Sequence, residues 1–368
     1  MSSDLPTDQQ ALPLLNCLQA LANRPRAAFH TPGHRQGQGA PMVLQDLLGV
    51  ALRADLPELP ELDNLFAPEG VIRAAEALAA EAFGADQTWF LANGSTCGLE
   101  AAILATCRPG DPIILPRNAH QSIFSALVLS GALPVWLEPQ VDPDWELAGG
   151  LTPAQVEAAL AAYPEAKAVL LVSPTYQGVG SDLAAIAEIT HRHHLPLLVD
   201  EAHGAHFAFH PDLPPSALAA GADLAVQSSH KTLSALTQAA MLHVRGERID
   251  RQRLSQALRL VQSTSPNYLL LASLDAARHQ MATAGKTLLD QTLAAAAQVK
   301  AQISRFLPVL SSAQLDPSRG FFSLDPLRLT VDVTPLGLTG FAADEILHQQ
   351  FNVTAELPSS RQLTFILT

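Results

Sequence analysis

The stretch DLAVQSSHKTLSALTQAAMLHV (residues 223–244) places one lysine, Lys231, between two apolar segments. The segments 223–229 and 239–244 each predict a strand in a protein core. Lysine is rarely buried without a partner, so a lysine between two such strands needs an explanation. A structural explanation is a lysine at a helix start whose ammonium reaches water. A chemical explanation is an amine that attacks a carbonyl, because burial and nearby positive charge lower its pKa.

Five further apolar runs precede this stretch and alternate with helical patterns. They are TWFLA (88–92), PIILP (112–116), LPVWLE (133–138), AVLLVS (168–173) and LPLLVD (195–200). Unbroken apolar strands separated by helices indicate a mostly parallel sheet that is covered on both faces. The sequence therefore predicts an α/β fold around a mostly parallel, seven-stranded sheet. Among the intervening helices, we expect Ser95, Thr152 and Ser181 to be N-caps.

The chain also divides by pattern into three segments. Residues 1–60 predict an N-terminal helix and an arm, and residues 61–300 a large domain that holds the sheet. Residues 301–368 predict a partial small α+β domain, because strand and helix patterns alternate in LRLTVDV, TGFAADEILHQQF, NVTAELP and LTFILT. The sequence ends inside this last apolar run, so we expect the chain to be shorter than its ancestor.

Composition narrows the class of protein. Hydrophobic residues make up 48% of the 368 residues and charged residues 15%, which predicts a packed core rather than disorder. The net charge of −13 disfavours nucleic acid as a partner and suits a cationic ligand. The three cysteines form no CxxC pair and the start MSSDLPTDQQ has no secretory pattern, which favours the cytoplasm. There is no run of about 20 apolar residues, so no membrane span is expected.

Four polar motifs follow apolar strands: ANGST (92–96), RNAH (117–120), DEAHGAH (200–206) and SSHK (228–231). In sheets of this kind ligands bind beyond the carboxyl ends of the strands, so we expect the motifs to form one site. The helix that opens at ANGST can hold a phosphate with its N-terminal N–H groups and the hydroxyls of Ser95 and Thr96. The alternative is an ordinary glycine turn with a serine cap.

The remaining motifs each allow more than one interpretation. Asp200 follows a strand, where a carboxylate can keep a pyridine nitrogen protonated. It can instead cap the next turn, or form a metal site with His203 and His206. His120 lies at a helix start, where its imidazole can stack on a flat aromatic ring or serve only as a loop histidine. A phosphate site, a stacking ring, a carboxylate and a lysine together describe pyridoxal phosphate held by a fold-type-I enzyme.

Longer phrases around these motifs resemble the Orn/Lys/Arg decarboxylase family, in particular its shorter bacterial and cyanobacterial members. They include FHTPGHRQGQG (29–39), LANGSTCG (91–98), SPTYQGVGSDL (173–183), QSSHKTLSALTQAAMLHV (227–244) and TSPNYLLLASLD (264–275). The resemblance covers about residues 25–280. It implies an aminotransferase-like fold, pyridoxal phosphate bound in the large domain, and a homodimer or higher homo-oligomer that makes polyamine precursors.

The resemblance also implies roles for individual residues. Lys231 resembles the lysine that binds the cofactor aldehyde, Asp200 the partner of the ring nitrogen, and His120 the stacking histidine. His230 is similar to a histidine that contacts the phosphate or the substrate carboxylate and relays a proton. Cofactor contacts are implied for five further positions: Ser95, Thr96, His203, Ser228 and Thr264.

The implied reaction is the decarboxylation of arginine, lysine or ornithine. We expect no nucleic acid, membrane or metal ion to take part. Thr264 resembles a residue that reaches the phosphate of a neighbouring subunit, and Glu356 an acidic position near the distal end of the substrate. Family members continue past LTFILT, so a catalytically impaired, cofactor-binding paralogue remains open. A fold-type-I aminotransferase or lyase also remains open. It needs an arginine for a second carboxylate, and three candidates stand in no assignable context: Arg319, Arg328 and Arg361.

Overall fold

The computed structural model describes residues 8–368. The first seven residues lie outside the described residues, and with them the start of the predicted segment 1–60 and most of MSSDLPTDQQ. The α-helices are α1 (Pro13–Asn23), α2 (Met42–Leu48), α3 (Ala51–Ala54), α4 (Val71–Phe83), α5 (Gly94–Thr106), α6 (Gln121–Ser130), α7 (Pro153–Ala162), α8 (Leu183–Arg192), α9 (Ser229–Thr232), α10 (Arg251–Val261), α11 (Tyr268–Ile303) and α12 (Gly340–Phe351). Short 3₁₀ turns lie at Phe207–Phe209, Ser312–Gln314, Pro317–Arg319 and Thr334–Leu336.

The strands follow the same alternation. They are β1 (Gln87–Leu91), β2 (Pro112–Pro116), β3 (Leu133–Leu137), β4 (Val141–Asp142), β5 (Leu147–Ala148), β6 (Val169–Val172), β7 (Val179–Gly180), β8 (Leu197–Asp200), β9 (Leu224–Gln227), β10 (Ala240–Val244), β11 (Ser323–Leu324), β12 (Arg328–Asp332), β13 (Leu357–Pro358) and β14 (Gln362–Ile366).

One seven-stranded sheet organises the large part of the chain, in the order β1-β10-β9-β8-β6-β2-β3. Strand β10 runs antiparallel to both of its neighbours, and the other strand pairs are parallel. The seven strands coincide with the seven apolar runs of the sequence. The predicted fold, a mostly parallel seven-stranded sheet in an α/β protein, is therefore confirmed.

Helices cover both faces of this sheet. Phe90 and Met241 pack with α1, α4 and α11 on one face. Leu91 and Leu242, their neighbours in the same strands, pack with α5 and α10 on the other. Successive side chains of a strand point to opposite faces, so unbroken apolar strands need cover on both sides.

A second, three-stranded antiparallel sheet lies near the end of the chain, in the order β12-β14-β13. Helix α12 packs on it, and Leu329, Val331 and Leu363 form its core. The strand and helix patterns predicted for residues 301–368 are thus present as elements. Strand β11 pairs with β7, which joins this region to the loop that follows β6.

Two of the three predicted helix caps are wrong. The N-cap of α5 is Asn93, and Ser95 lies in the first turn. The N-cap of α8 is Asp182, whose carboxylate accepts the N–H of Ala185 at 3.1 Å. Ser181 was one residue too early, since the stronger carboxylate acceptor follows it. Thr152 is the N-cap of α7, as predicted, within a capping box.

Helix α1 is held at its start by residues from a distant part of the chain. Asp275 of α11 accepts the N–H groups of Leu14 and Leu15 at 3.0 and 3.2 Å. Arg278, one turn later, donates to Asp275 and to the carbonyl of Ala11, at 2.5 and 2.6 Å. Both charged side chains are fully buried. This pair replaces the side-chain cap that α1 itself lacks.

No helix in residues 8–368 has the length and apolarity to cross a membrane.

Glu76 of α4 gives a prediction about stability. Its carboxylate is buried and accepts the N–H of Phe90 at 2.9 Å. Burial raises the pKa of Glu76 from 4.5 to about 8, although the Phe90 N–H acts in the opposite direction. A raised folded-state pKa stabilises the fold below the unfolded value, and that contribution is lost as the pH rises from about 4.5 to about 8. The wild type should therefore lose stability over this range relative to Glu76→Gln.

Each pKa unit corresponds to about 1.4 kcal/mol, so we expect a differential loss of at least about that size. Urea unfolding of both proteins at pH 5 and pH 8 measures it. The exposed Glu188→Gln serves as the matched control and should change little. A difference between Glu76→Gln and wild type that is the same at both pH values would contradict the prediction.

Candidate functional site

A cleft of about 600 Å³ lies at the carboxyl ends of the sheet strands. Each of the four polar motifs contributes lining residues: Asn93, Gly94, Ser95 and Thr96; Asn118 and His120; Asp200, Ala202 and His203; Ser228, His230 and Lys231. The motifs converge because they follow strands that run in the same direction, so their ends meet at one edge of the sheet. The structure thus brings residues of all four motifs together in one cleft.

One end of the cleft suits an anion. Ser95 lies in the first turn of α5, and its hydroxyl is 2.6 Å from that of Ser228. Thr96 is exposed beside it and lines the cleft. Gly94 has φ +75°, a conformation that glycine adopts freely, and it lets the chain turn from β1 into α5. The first N–H groups of a helix have no intrahelical partner, so hydroxyls and free N–H groups meet here.

Asp200 lies at the end of β8, deep in the cleft. Its side chain is 4% exposed and accepts the N–H of Ala202 at 3.1 Å. Burial raises the pKa of Asp200, whereas that N–H and the positive charges of Lys231 and His120 lower it. A carboxylate in such a poorly solvated place gains most from a cationic partner within the cleft.

Lys231 lies on the short helix α9 and points into the same cleft. Its Nζ is 3.1 Å from Nε2 of His203 and 5.4 Å from the ring centre of Tyr176. Burial lowers the pKa of Lys231, and Arg328 adds to this, while Asp200 and Glu356 oppose it. A larger fraction of Lys231 is therefore in the neutral amine form than for a solvated lysine, and nucleophilic attack requires this form.

The two other predicted histidines also line the cleft. His120 is the exposed N-cap of α6, and its Nδ1 accepts the N–H of Ser122 at 3.1 Å. His230 donates from Nδ1 to the carbonyl of Ala239 at 3.0 Å. That bond leaves the other nitrogen of His230 as the one able to accept a proton.

Thr264 and Glu356 lie away from these groups. Thr264 is exposed in the loop between α10 and α11 and is not among the residues that line the cleft. Glu356 precedes β13 and is exposed, yet its charge raises the pKa of both Lys231 and Arg328. Glu356 therefore lies within electrostatic range of the cleft, on the side formed by the small sheet.

The metal interpretation of DEAHGAH does not fit the geometry. His203 faces Lys231, whereas the Nε2 of His206 is 3.1 Å from the carboxylate of Asp325. Across residues 8–368, no three or more His, Cys, Asp or Glu side chains are grouped so that they could hold a metal ion.

Sequence reasoning missed two residues that surround Lys231. Arg328 stood in no assignable context, but the structure buries it completely against His203. Tyr176 follows strand β6, so the strand-end rule that selected the four motifs applied to it as well. For Arg328 the available signal was a charged residue between two leucines in the run LRLTVDV.

The chain matches the family model described as Orn/Lys/Arg decarboxylase, major domain, over residues 12–368. It belongs to the Orn/Lys/Arg decarboxylase family. This family comprises pyridoxal-phosphate-dependent carboxy-lyases, so the predictions of the family and of a decarboxylase are confirmed. The match includes the small sheet, which lies beyond the residues 25–280 that the sequence resemblance covered.

Individual relatives agree with this assignment. The chain is similar to an arginine decarboxylase of Bacillus subtilis, with 40% identity over 98% of this chain and 74% of the relative. A solved lysine decarboxylase of Francisella novicida has the same fold, with a TM-score of 0.82 at 23% identity, over 97% of this chain and 57% of that one. The chain thus spans little more than half of that structure. An alanine–glyoxylate aminotransferase of Nostoc also shares the fold, with a TM-score of 0.65 at 17% identity over 83% of each chain.

Proposed function

We propose that this chain decarboxylates a basic amino acid (arginine, lysine or ornithine) with pyridoxal phosphate attached to Lys231. The observation that carries the proposal is the Lys231 amine, whose pKa is lowered by burial and whose Nζ lies 3.1 Å from His203 in the same cleft as Asp200. An amine with a lowered pKa at the base of a cleft is a candidate nucleophile toward an aldehyde.

The side chains of the cleft fit this cofactor. The hydroxyls of Ser95 and Thr96, in the first turn of α5, would hold the phosphate together with that of Ser228, the N-cap of α9. The buried carboxylate of Asp200 would pair with the ring nitrogen, and His120 would cover the ring face. The buried hydroxyl of Ser229, beside this site, has no hydrogen-bond partner within the described chain. When bound, pyridoxal phosphate accepts the electron pair that the departing carboxylate leaves behind.

The chain's own residues prepare this chemistry. Asp200 favours a protonated ring nitrogen, because its carboxylate is desolvated and needs a positive partner. His203 lies against the Lys231 amine. The proton that replaces the carboxylate comes from His230 or Lys231, which both line the cleft. His230 can take up and return a proton at Nε2, since its Nδ1–H is engaged with Ala239.

A basic substrate fits the acidic surroundings of the cleft. Glu146 lines it, and Glu356 acts on it electrostatically, so both can face a cationic side chain. Arginine is the first substrate to test, because relatives named arginine decarboxylase reach 40% identity over nearly the whole chain.

We extend the proposal to the assembly and its domains. The exposed position of Thr264 supports a homodimer in which it reaches the neighbouring subunit's cleft. The free cysteines Cys17, Cys97 and Cys107 favour the cytoplasm. The separate sheets support a large domain over residues 61–300 and a small one over residues 301–368.

Carbon dioxide release tests the function directly. The full chain, loaded with pyridoxal phosphate, is given L-arginine, L-lysine and L-ornithine separately, and the released carbon dioxide is measured. We expect release from at least one of them and none from Nα-acetyl-L-arginine, whose blocked amine cannot attack an aldehyde. If cofactor binds but none of the three is decarboxylated, the proposed function is wrong.

A further inference from the structure

His203 is enclosed by three side chains from different parts of the chain. Tyr176 packs on its ring, with ring centres 4.3 Å apart. Lys231 Nζ lies 3.1 Å from its Nε2. On the opposite side, one terminal nitrogen of Arg328 lies 3.1 Å from its Nδ1 and 3.1 Å from its backbone carbonyl. Both ring nitrogens of His203 are therefore engaged, each with a basic side chain.

The position of the ring proton follows from the chemistry of these partners. A guanidinium has only donors, so Nδ1 of His203 must accept from Arg328. Burial is the main cause that lowers the pKa of His203, and the charge of Arg328 acts in the same direction, so the ring is neutral and carries one proton. That proton is then on Nε2 and points at Nζ of Lys231. A nitrogen that accepts this hydrogen bond needs a lone pair, which an ammonium lacks.

We propose that Arg328 is a positioning residue: by donating to Nδ1 of His203, it fixes the ring proton on Nε2, where the N–H selects the neutral amine of Lys231. This deepens the proposed function and rests on it in one respect, the attachment of the cofactor at Lys231. Arg328 itself touches no reacting atom and acts through His203.

The fold holds Arg328 in this place from several directions. It opens β12 of the small sheet and is fully buried, with its Nε 3.9 Å from the carboxylate of Asp325. Asp325 in turn faces His206 at 3.1 Å. Gly178 allows the close packing, because a Cβ added there would lie 2.6 Å from Cγ of Arg328. Arg328 thus connects the small sheet to Lys231 through His203.

Other charges near this pair define the background of the test. Asp200 and Glu356 raise the pKa of Lys231, and Arg328 lowers it. His120 and His230 add to the positive charges that lower the pKa of His203. Removing Arg328 should therefore raise the pKa of both His203 and Lys231, because it removes a positive charge and a donor together.

The first measurement is made on the wild-type full chain without added cofactor. Nitrogen-15 NMR of the histidine rings reports which nitrogen carries the proton, and His203→Gln identifies the signal. We expect a neutral ring protonated at Nε2. A ring protonated at Nδ1, or a charged ring at neutral pH, overturns the proposal, whether or not any Arg328 variant folds.

The second measurement compares Arg328→Met with Arg328→Lys and with Arg319→Met, which changes a partly exposed arginine of the same region. The pH midpoint of Lys231 modification by reductive methylation, read by mass spectrometry, reports its pKa. In Arg328→Met we expect a midpoint about one pH unit higher and a mixed His203 tautomer. Arg328→Lys should restore both, and Arg319→Met should leave both unchanged. If Arg328→Met folds and neither changes, Arg328 has only a structural role and the proposal is wrong.

These readouts do not depend on turnover. If carbon dioxide release fails while the tautomer and the midpoint behave as expected, the proposed function is wrong and the role of Arg328 stands. If carbon dioxide is released while the His203 ring is protonated at Nδ1, the proposed function stands and the role of Arg328 is wrong.

Discussion

Replacing Lys231 by alanine is expected to lower carbon dioxide release at least about 10³-fold, the scale of losing a group that both attacks and transfers protons. The variant keeps the hydroxyls of Ser95 and Ser228 and the carboxylate of Asp200, so it should still bind the cofactor without a covalent bond. Activity and cofactor attachment should therefore separate in this variant.

Borohydride reduction followed by peptide mass mapping checks the attachment. The chain has four lysines, Lys167, Lys231, Lys286 and Lys300, so a single labelled site is easily assigned. We expect the pyridoxyl group on Lys231 in the wild type and no label in Lys231→Ala. The exposed Lys167→Ala is the matched control and should retain both label and activity. A label on another lysine, or activity in Lys231→Ala, would contradict the assignment of this residue.

Replacing Asp275 by alanine is expected to destabilise the fold by about 3–5 kcal/mol, the cost of leaving one partner of a buried ion pair alone. Asp275 and Arg278 are both fully buried, and they bind the backbone at the start of α1. The variant would leave the Arg278 charge without its carboxylate and the N–H groups of Leu14 and Leu15 without acceptors. Both losses act in the same direction.

Urea unfolding of the variant and the wild type measures this effect. The control is Glu157→Ala, which removes an exposed partner of Arg192 and should cost less than about 1 kcal/mol. The double variant Asp275→Leu with Arg278→Met should recover part of the loss, because it removes the unpaired charge. A cost for Asp275→Ala no larger than that of Glu157→Ala would show that the buried pair does not anchor α1.

Much of the large sheet was predictable from the sequence. Its seven strands coincide with mostly apolar runs, and all of them except the edge strand β3 are largely buried, which limits their composition. The convergence of ANGST, RNAH, DEAHGAH and SSHK was predictable for the same reason, since strands that run the same way end at one edge. Helix caps were less predictable, because α5 begins after Asn93 rather than after Ser95, and α8 begins after Asp182 rather than after Ser181.

The short strands were not predictable. Strands β4, β5, β7 and β11 have two residues each, too few to show a period. They matter to the site, because β4 and β5 bring Glu146 to the cleft and β7 with β11 joins the two sheets. Such pairs exist only because larger elements place them side by side.

The sequence alone indicated the alternation of the seven long strands with helices, the family, and Asp200 and Lys231 as polar residues that follow two of those strands. Only the tertiary structure decided that Arg328 meets His203 and that Asp275 caps α1, contacts that span 125 and 261 residues. Periodicity and local motifs describe a residue's neighbours within a few positions, whereas these contacts depend on how whole sheets and helices pack. A charged residue between apolar neighbours indicates that a partner exists, and the fold determines which one.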